Sequence, residues 1–170
     1  MSKTHMSQRV LKLNVGFLLS TGAGHSHNSV LDLPTTKVAD DLILNYIRGP
    51  IRLSRTKEGL LVQAKLDSAT DGECYRCLED INHKITLDLE ELYAYQSNYD
   101  SEFRISEDAI LDLGPLVRAE AFIELSQGML CQPDCLGLCA ECGGNRNRGE
   151  CRCEVDDIDP RLAVLKQLLK

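Results

Sequence analysis

Through much of the first half of the chain, apolar and polar residues alternate with the period of a strand that buries one face. Leu11, Leu13, Val15, Phe17 and Leu19 alternate with Lys12, Asn14 and Gly16, which predicts a strand from Arg9 to Leu19. Shorter stretches of the same kind run from Val30 to Leu33, Leu42 to Ile47, Ile51 to Leu53 and Leu60 to Leu66, and the alternation resumes at Ile85, Leu87 and Leu89. Gly49-Pro50, Glu58-Gly59 and Asp71-Gly72 stand between them as turn signals. The Gly-, Ser- and His-rich stretch from Ser20 to Asn28 reads as a loop. This half is expected to form an antiparallel meander or small barrel.

The period changes after Leu113. Leu116, Ala119 and Ile123 recur at helical spacing, Val117, Ala121, Phe122 and Leu125 widen the apolar face, and Pro115 and Gly128 mark the two ends. At the end of the chain Asp159 is suited to cap a helix that starts at Pro160 and carries a stripe of Leu162, Leu165 and Leu169. The fold expected is therefore α+β: an antiparallel sheet or small barrel, a covering helix, a Cys-rich metal-binding segment and a short C-terminal helix. Two units follow, a β-rich core with its helix over residues 1–128 and the Cys-rich segment with the terminal helix over 129–170.

Charge narrows the partners. The net charge of -7 is concentrated between Thr86 and Asp112, where Asp88, Glu90, Glu91, Asp100, Glu102, Glu107, Asp108 and Asp112 face Arg104 alone. Such a belt repels phosphate and reads as a solvated face or a contact for a basic protein. Arg48, Arg52, Arg55 and Lys57 cluster between two expected strands, a spacing that marks a polar strand face more often than a phosphate contact. No apolar run approaches the length of a membrane span, and Trp is absent.

Cysteine is the residue type that most needs a chemical reason. Six of eight cysteines fall between Cys131 and Cys153, in CQPDCLGLCAECGGNRNRGECRC, and the other two form the pair Cys74-Tyr-Arg-Cys77. Cys139 and Cys142 precede two glycines in the form of a metal knuckle, a turn tight enough for two thiolates to face one ion. Cys151 and Cys153 can close the site, and Cys135 and Cys131 are the next ligands in order. The opening residues MSKTHMSQRV lack a secretory leader's apolar run, so a reducing, cytoplasmic setting is expected and disulfides are disfavoured. Structural Zn2+ is the expected ion, one most readily and two if Cys74 and Cys77 take part. That pair sits between strands and not at a helix start, which argues against thioredoxin-type redox chemistry and leaves a second knuckle or packed small residues. His25 and His27 form an H-x-H pair in a polar stretch, with no cysteine close in sequence.

The order CYRCLE, apolar helix, CLGLCAECGGNRN, DPRLAVLKQLLK resembles the bacterial YceD family of large ribosomal RNA subunit accumulation proteins over nearly the whole chain. The resemblance implies a part in the synthesis, processing or stability of large-subunit ribosomal RNA and carries no catalytic residue. Some members lack the distal cysteines, so zinc is not the activity the family shares. Family members commonly have an apolar Leu where this chain has Arg146, which points to a displayed arginine.

A non-enzymatic factor of ribosome biogenesis is the leading expectation, in contact with large-subunit ribosomal RNA chiefly through a ribosomal or processing protein. No membrane and no small-molecule substrate are expected. A zinc-ribbon nucleic-acid regulator or a small zinc-bearing adaptor is the alternative, and it would need basic and aromatic residues that are few here. An enzyme is disfavoured because no H-E-x-x-H motif, no histidine near the cluster from Cys131 to Cys153 and no helix-led C-x-x-C is present.

Overall fold

The computed structural model describes residues 11–96, 99–149 and 151–153. Four antiparallel strands form an open sheet in the order β2, β5, β6, β7 (Ser26–Leu33, Tyr46–Arg55, Gly59–Glu73 and Asp80–Ala94). Two small ribbons accompany it, β1 (Lys12–Asn14) with β8 (Ile110–Asp112), and β3 (Thr36–Ala39) with β4 (Leu42–Leu44). The architecture is the expected α+β type, an open sheet and not a closed barrel among the described residues.

The sheet is dominated by one long hairpin. β6 and β7 each run 15 residues and pair without a shift from Gly59↔Ala94 to Glu73↔Asp80. Leu60, Val62, Ala64 and Leu66 on β6 stand beside Tyr93, Leu89 and Leu87 on β7, so alternation at period two places all of them on one buried face. Ile47, Ile51 and Leu53 extend that face across β5. Helix α2 (Gly114–Ser126) covers it with Leu116, Val117 and Ala121, and the buried Tyr93 hydroxyl donates to the Asp112 carbonyl at 3.0 Å, tying the helix entry to β7.

Several local expectations are corrected. The strand expected from Arg9 to Leu19 ends at Asn14, whose side-chain oxygen accepts the Gly16 N–H at 3.0 Å, and a short helix α1 (Gly16–Leu19) follows. The buried residues are Leu11, Val15 and Leu18, a helical spacing hidden inside the alternation, while Phe17 is exposed. Ser26 to Asn28, expected in a loop, pair with Ser54 to Arg52 as the start of β2.

Gly49-Pro50 does not break the chain but lies within β5, paired to Leu31 and Val30. A side chain at Gly49 would collide with the Lys65 carbonyl, so the glycine serves close strand packing. Asp71-Gly72 likewise stays in β6, where Asn45 and Asn82 both donate to the Asp71 carboxylate, at 2.9 and 2.7 Å. The C-terminal helix expected from Pro160 lies outside the described residues.

Candidate metal centre

With Asp71-Gly72 inside the strand, the turn between β6 and β7 is made by Cys74-Tyr-Arg-Cys-Leu-Glu79 itself. The Cys74 N–H donates to the Glu79 carbonyl at 2.8 Å and the Leu78 N–H returns to the Cys74 carbonyl at 2.8 Å. Leu78 takes a left-handed conformation, φ 58°, to complete the loop. The CYRC pair thus crowns the longest hairpin in the molecule.

Helix α2 ends beside it. Gly128 turns at φ +87°, in contact with the Tyr75 ring, and the Tyr75 N–H donates to the Met129 carbonyl at 3.0 Å. The segment that follows lies along the hairpin tip. Arg76 donates to the Cys135 carbonyl at 3.0 Å, and the Leu138 N–H donates to the Arg76 carbonyl at 3.0 Å. Cys131 and Cys135 are thereby delivered to Cys74 and Cys77.

Those four thiols form the first group. Cys74 Sγ lies 3.8 Å from Cys135 Sγ, and Cys77 Sγ lies 3.6 Å from Cys131 Sγ. Four sulfurs at about 2.3 Å from a tetrahedral ion stand about 3.8 Å from one another, so the spacing fits one divalent ion, and it is far too long for a disulfide. Cys74, Cys77 and Cys135 are buried against Ile81 and Leu130, and Cys131 is the exposed member. Asn147 donates to Cys135 Sγ at 3.2 Å.

Cys139, Cys142, Cys151 and Cys153 form the second group. In both groups the sulfurs lie within 4.8 Å of one another. The Gly143 N–H donates to the Cys139 carbonyl at 2.9 Å, the same fifth-to-first bond that Leu78 makes to Cys74, and Gly143 adopts the same left-handed turn at φ 71°. The two C-x-x-C loops are one knuckle built twice. Cys139 is buried, while Cys142 and Cys153 are exposed.

The hydrogen bonding around the sulfurs is that of a thiolate site. Burial opposes ionisation of Cys74, yet the backbone N–H groups of Cys131, Cys77 and Arg76 aim at its sulfur and bring its pKa down to about 6. The Cys142 backbone N–H, the Cys151 thiol and the Glu141 N–H do the same for Cys139, also to about 6. Once one sulfur in a group carries charge its neighbours resist a second. Burial and the adjacent Cys135 push Cys131 up to about 12, and Cys142 and Cys151 push Cys153 up to about 12. Only a cation among the sulfurs would let all four ionise together.

Three of the residues that join the groups, Glu79, Asn145 and Asn147, escaped the sequence reading. Glu79, at the end of the hairpin loop, accepts from Asn145 Nδ2 at 3.0 Å and from Arg148 at 2.5 Å. Asn145 also caps a 3-10 turn (Arg146–Arg148) by accepting the Asn147 N–H at 2.9 Å, and the Asn147 side chain in turn accepts the Leu136 N–H at 2.8 Å. The asparagines of GGNRN are the signal that could have shown this, since Asn favours such side-chain-to-backbone turns. Arg146 is exposed.

Other expected residues lie elsewhere. His25 Nδ1 sits 2.9 Å from the Gly22 carbonyl and the His27 ring packs edge-on against Phe17 at 5.0 Å, so neither belongs to a thiol group. Arg48 pairs with Asp32 at 2.7 Å, and Arg55 donates to the Thr56 and Gly59 carbonyls, as a polar strand face would have it.

An antiparallel sheet whose longest hairpin supplies half of one four-cysteine group, with a second such group in the segment beyond helix α2, defines a class of small thiol-rich proteins. Residues 62–169 match the sequence model of the family described as Large ribosomal RNA subunit accumulation protein YceD, and the chain belongs to that family. It is 31% identical over 132 residues to the uncharacterized protein Rv2926c of Mycobacterium tuberculosis, covering 70% of this chain and 60% of that one. It is 32% identical over 128 residues to the uncharacterized protein ML1660 of Mycobacterium leprae (70% and 57% covered), and 26% identical over 129 residues to the uncharacterized protein YlbN of Bacillus subtilis (71% and 75%). The chain thus spans about 60% of the mycobacterial relatives. No solved structure matches it. No helix among the described residues is long and apolar enough to cross a membrane.

Proposed function

We propose that the protein is a non-enzymatic, cytoplasmic factor of ribosome biogenesis that supports synthesis, processing or stability of large-subunit ribosomal RNA. On this reading Cys74, Cys77, Cys131 and Cys135 hold one structural Zn2+, and Cys139, Cys142, Cys151 and Cys153 hold a second. The observation that carries it is the convergence of Cys74 and Cys77 with Cys131 and Cys135 inside the stretch that matches the YceD family.

The chemistry of the donors supports structure over catalysis. Four sulfurs fill a tetrahedral shell, whereas a catalytic zinc keeps a position for water or substrate. A structural zinc contributes on the order of 10 kcal/mol to a small element, enough to hold a segment with little apolar core. Residues 129–149 have little: of their hydrophobic side chains, only Cys135 and Cys139 are buried.

The test begins with metal analysis of purified protein, where two zinc ions per chain are expected. Depletion in cells, with precursor ends mapped, should lower large-subunit ribosomal RNA and spare the small-subunit RNA. Wild type should restore it, and Cys139→Ala with Cys142→Ala should not. Unchanged ribosomal RNA on depletion would remove the reading.

A further inference from the structure

The hairpin tip and the segment laid across it expose large apolar side chains. Tyr75 is 55% exposed and Leu78 59% on the hairpin tip, and Leu136 is 57% and Leu138 36% on the segment laid across it. The two segments are joined directly, since the Arg76 guanidinium donates to the Cys135 carbonyl and the Arg76 carbonyl accepts the Leu138 N–H. Arg76 also stacks on Tyr75, 5.8 Å from the ring centroid, which holds the phenol in place at the surface. Exposed large side chains gathered on one rigid element mark an interaction site.

Charge decides the partner. Across residues 74–79 and 131–153 the arginines Arg76, Arg146, Arg148 and Arg152 are cancelled by Glu79, Asp134, Glu141 and Glu150. Eight thiolates around two divalent ions then leave this element at about -4, and the strand ends that flank the hairpin tip add Asp71, Glu73 and Asp80, all exposed. An RNA backbone would be repelled, whereas a Lys- and Arg-rich protein segment would be drawn in. The chain's own residues 154–170 do not supply that countercharge, because Glu154, Asp156, Asp157 and Asp159 outnumber Arg161, Lys166 and Lys170.

We infer that Tyr75, Leu78, Leu136 and Leu138 form the docking surface for a basic protein segment, which seats an apolar side chain among them and places its cations over the thiolate groups. The inference rests on the proposed function and names the partner's chemistry: a cationic protein bound in place of direct contact with the RNA. Apolar anchors of this kind dominate interface energetics, and the surrounding charge sets the salt dependence.

The test places a photo-crosslinking residue, Leu138→p-benzoylphenylalanine, in the metal-loaded full chain, with Val30→p-benzoylphenylalanine as a control at the exposed Val30 of β2. Each is irradiated with two probes: large-subunit ribosomal proteins freed of RNA, and large-subunit ribosomal RNA freed of protein. Salt-sensitive crosslinks from position 138 to a basic protein are expected, none from position 30, and a drop of about tenfold when Tyr75→Ser and Leu136→Ser are added. The double variant should keep its two metal ions and melting temperature. Crosslinks to RNA alone, to residues 154–170 of the same chain, or equally from both positions would overturn the inference. In depleted cells, full rescue of ribosomal RNA by the double variant would overturn this surface and leave the proposed function standing. Unchanged ribosomal RNA on depletion would instead remove that function, with the crosslinks still deciding the surface.

Discussion

The two thiol groups use the same knuckle and differ in how the other half is supplied. The second group is local: its ligands lie within the fifteen residues from Cys139 to Cys153. The first is assembled across the fold, pairing sulfurs 54 and 61 residues apart, and needs the β6–β7 hairpin and helix α2 in place before it exists. One is chiefly a property of its segment, the other a property of the tertiary structure. The burial follows suit, with three of the four first-group sulfurs buried and only Cys139 in the second. The difference teaches that ligand spacing in sequence predicts a local site well and a tertiary site hardly at all.

The sharpest way to break the comparison is to remove ligands from each group in turn. Cys135→Ser should lower the metal content from two ions to one and free residues 129–149 from the hairpin tip, read as new protease cleavage after Gly128 and a fall in melting temperature. Cys142→Ser with Cys153→Ser should also leave one ion, but with cleavage confined beyond Leu136 and the sheet's melting unchanged. If both variants lose both ions, the groups are not independent. A competing chelator added to wild type should strip the second group before the first, as two steps in metal release, because its sulfurs are the more exposed.

Smaller changes sharpen the picture. Glu79→Ala removes the acceptor shared by Asn145 and Arg148 and should cost about 1 kcal/mol in chemical unfolding, discounted because Arg148 is largely exposed. Exchanging the fifth residues of the knuckles should give effects of opposite sign. Gly143→Leu forces a side chain into the left-handed turn and should destabilise by about 1 kcal/mol, whereas Leu78→Gly relieves that strain and should stabilise by about 0.5 kcal/mol, the glycine's greater freedom when unfolded taking back part of the gain.

What could be read from the residues follows the same division. The helix over 114–126 was legible because Pro115, the apolar spacing and Gly128 all agree, and so was the buried face of β6 and β7. The eight cysteines and their suitability for metal were visible, as was the kinship carried by CYRCLE and CLGLCAECGG. The partners of Cys74 and Cys77 were not, because the length of a hairpin sets where its tip arrives and Asp71-Gly72 looked like the turn. Asn14 hid the end of β1 in the same manner, since a single side-chain hydrogen bond overrode an otherwise unbroken alternation.

The position of the first group also has a consequence during synthesis. The partner of Cys77, Cys131, follows it by 54 residues, so at ordinary rates of translation the early pair waits about 3 to 10 s before its second half is made. The fifteen residues of the second group take about 1 to 3 s. For that interval the emerging chain holds two thiols at the tip of an unfinished hairpin, able to take up a metal ion only by sharing it with water or another molecule. The order of the gene thus makes the buried centre the slower of the two to close.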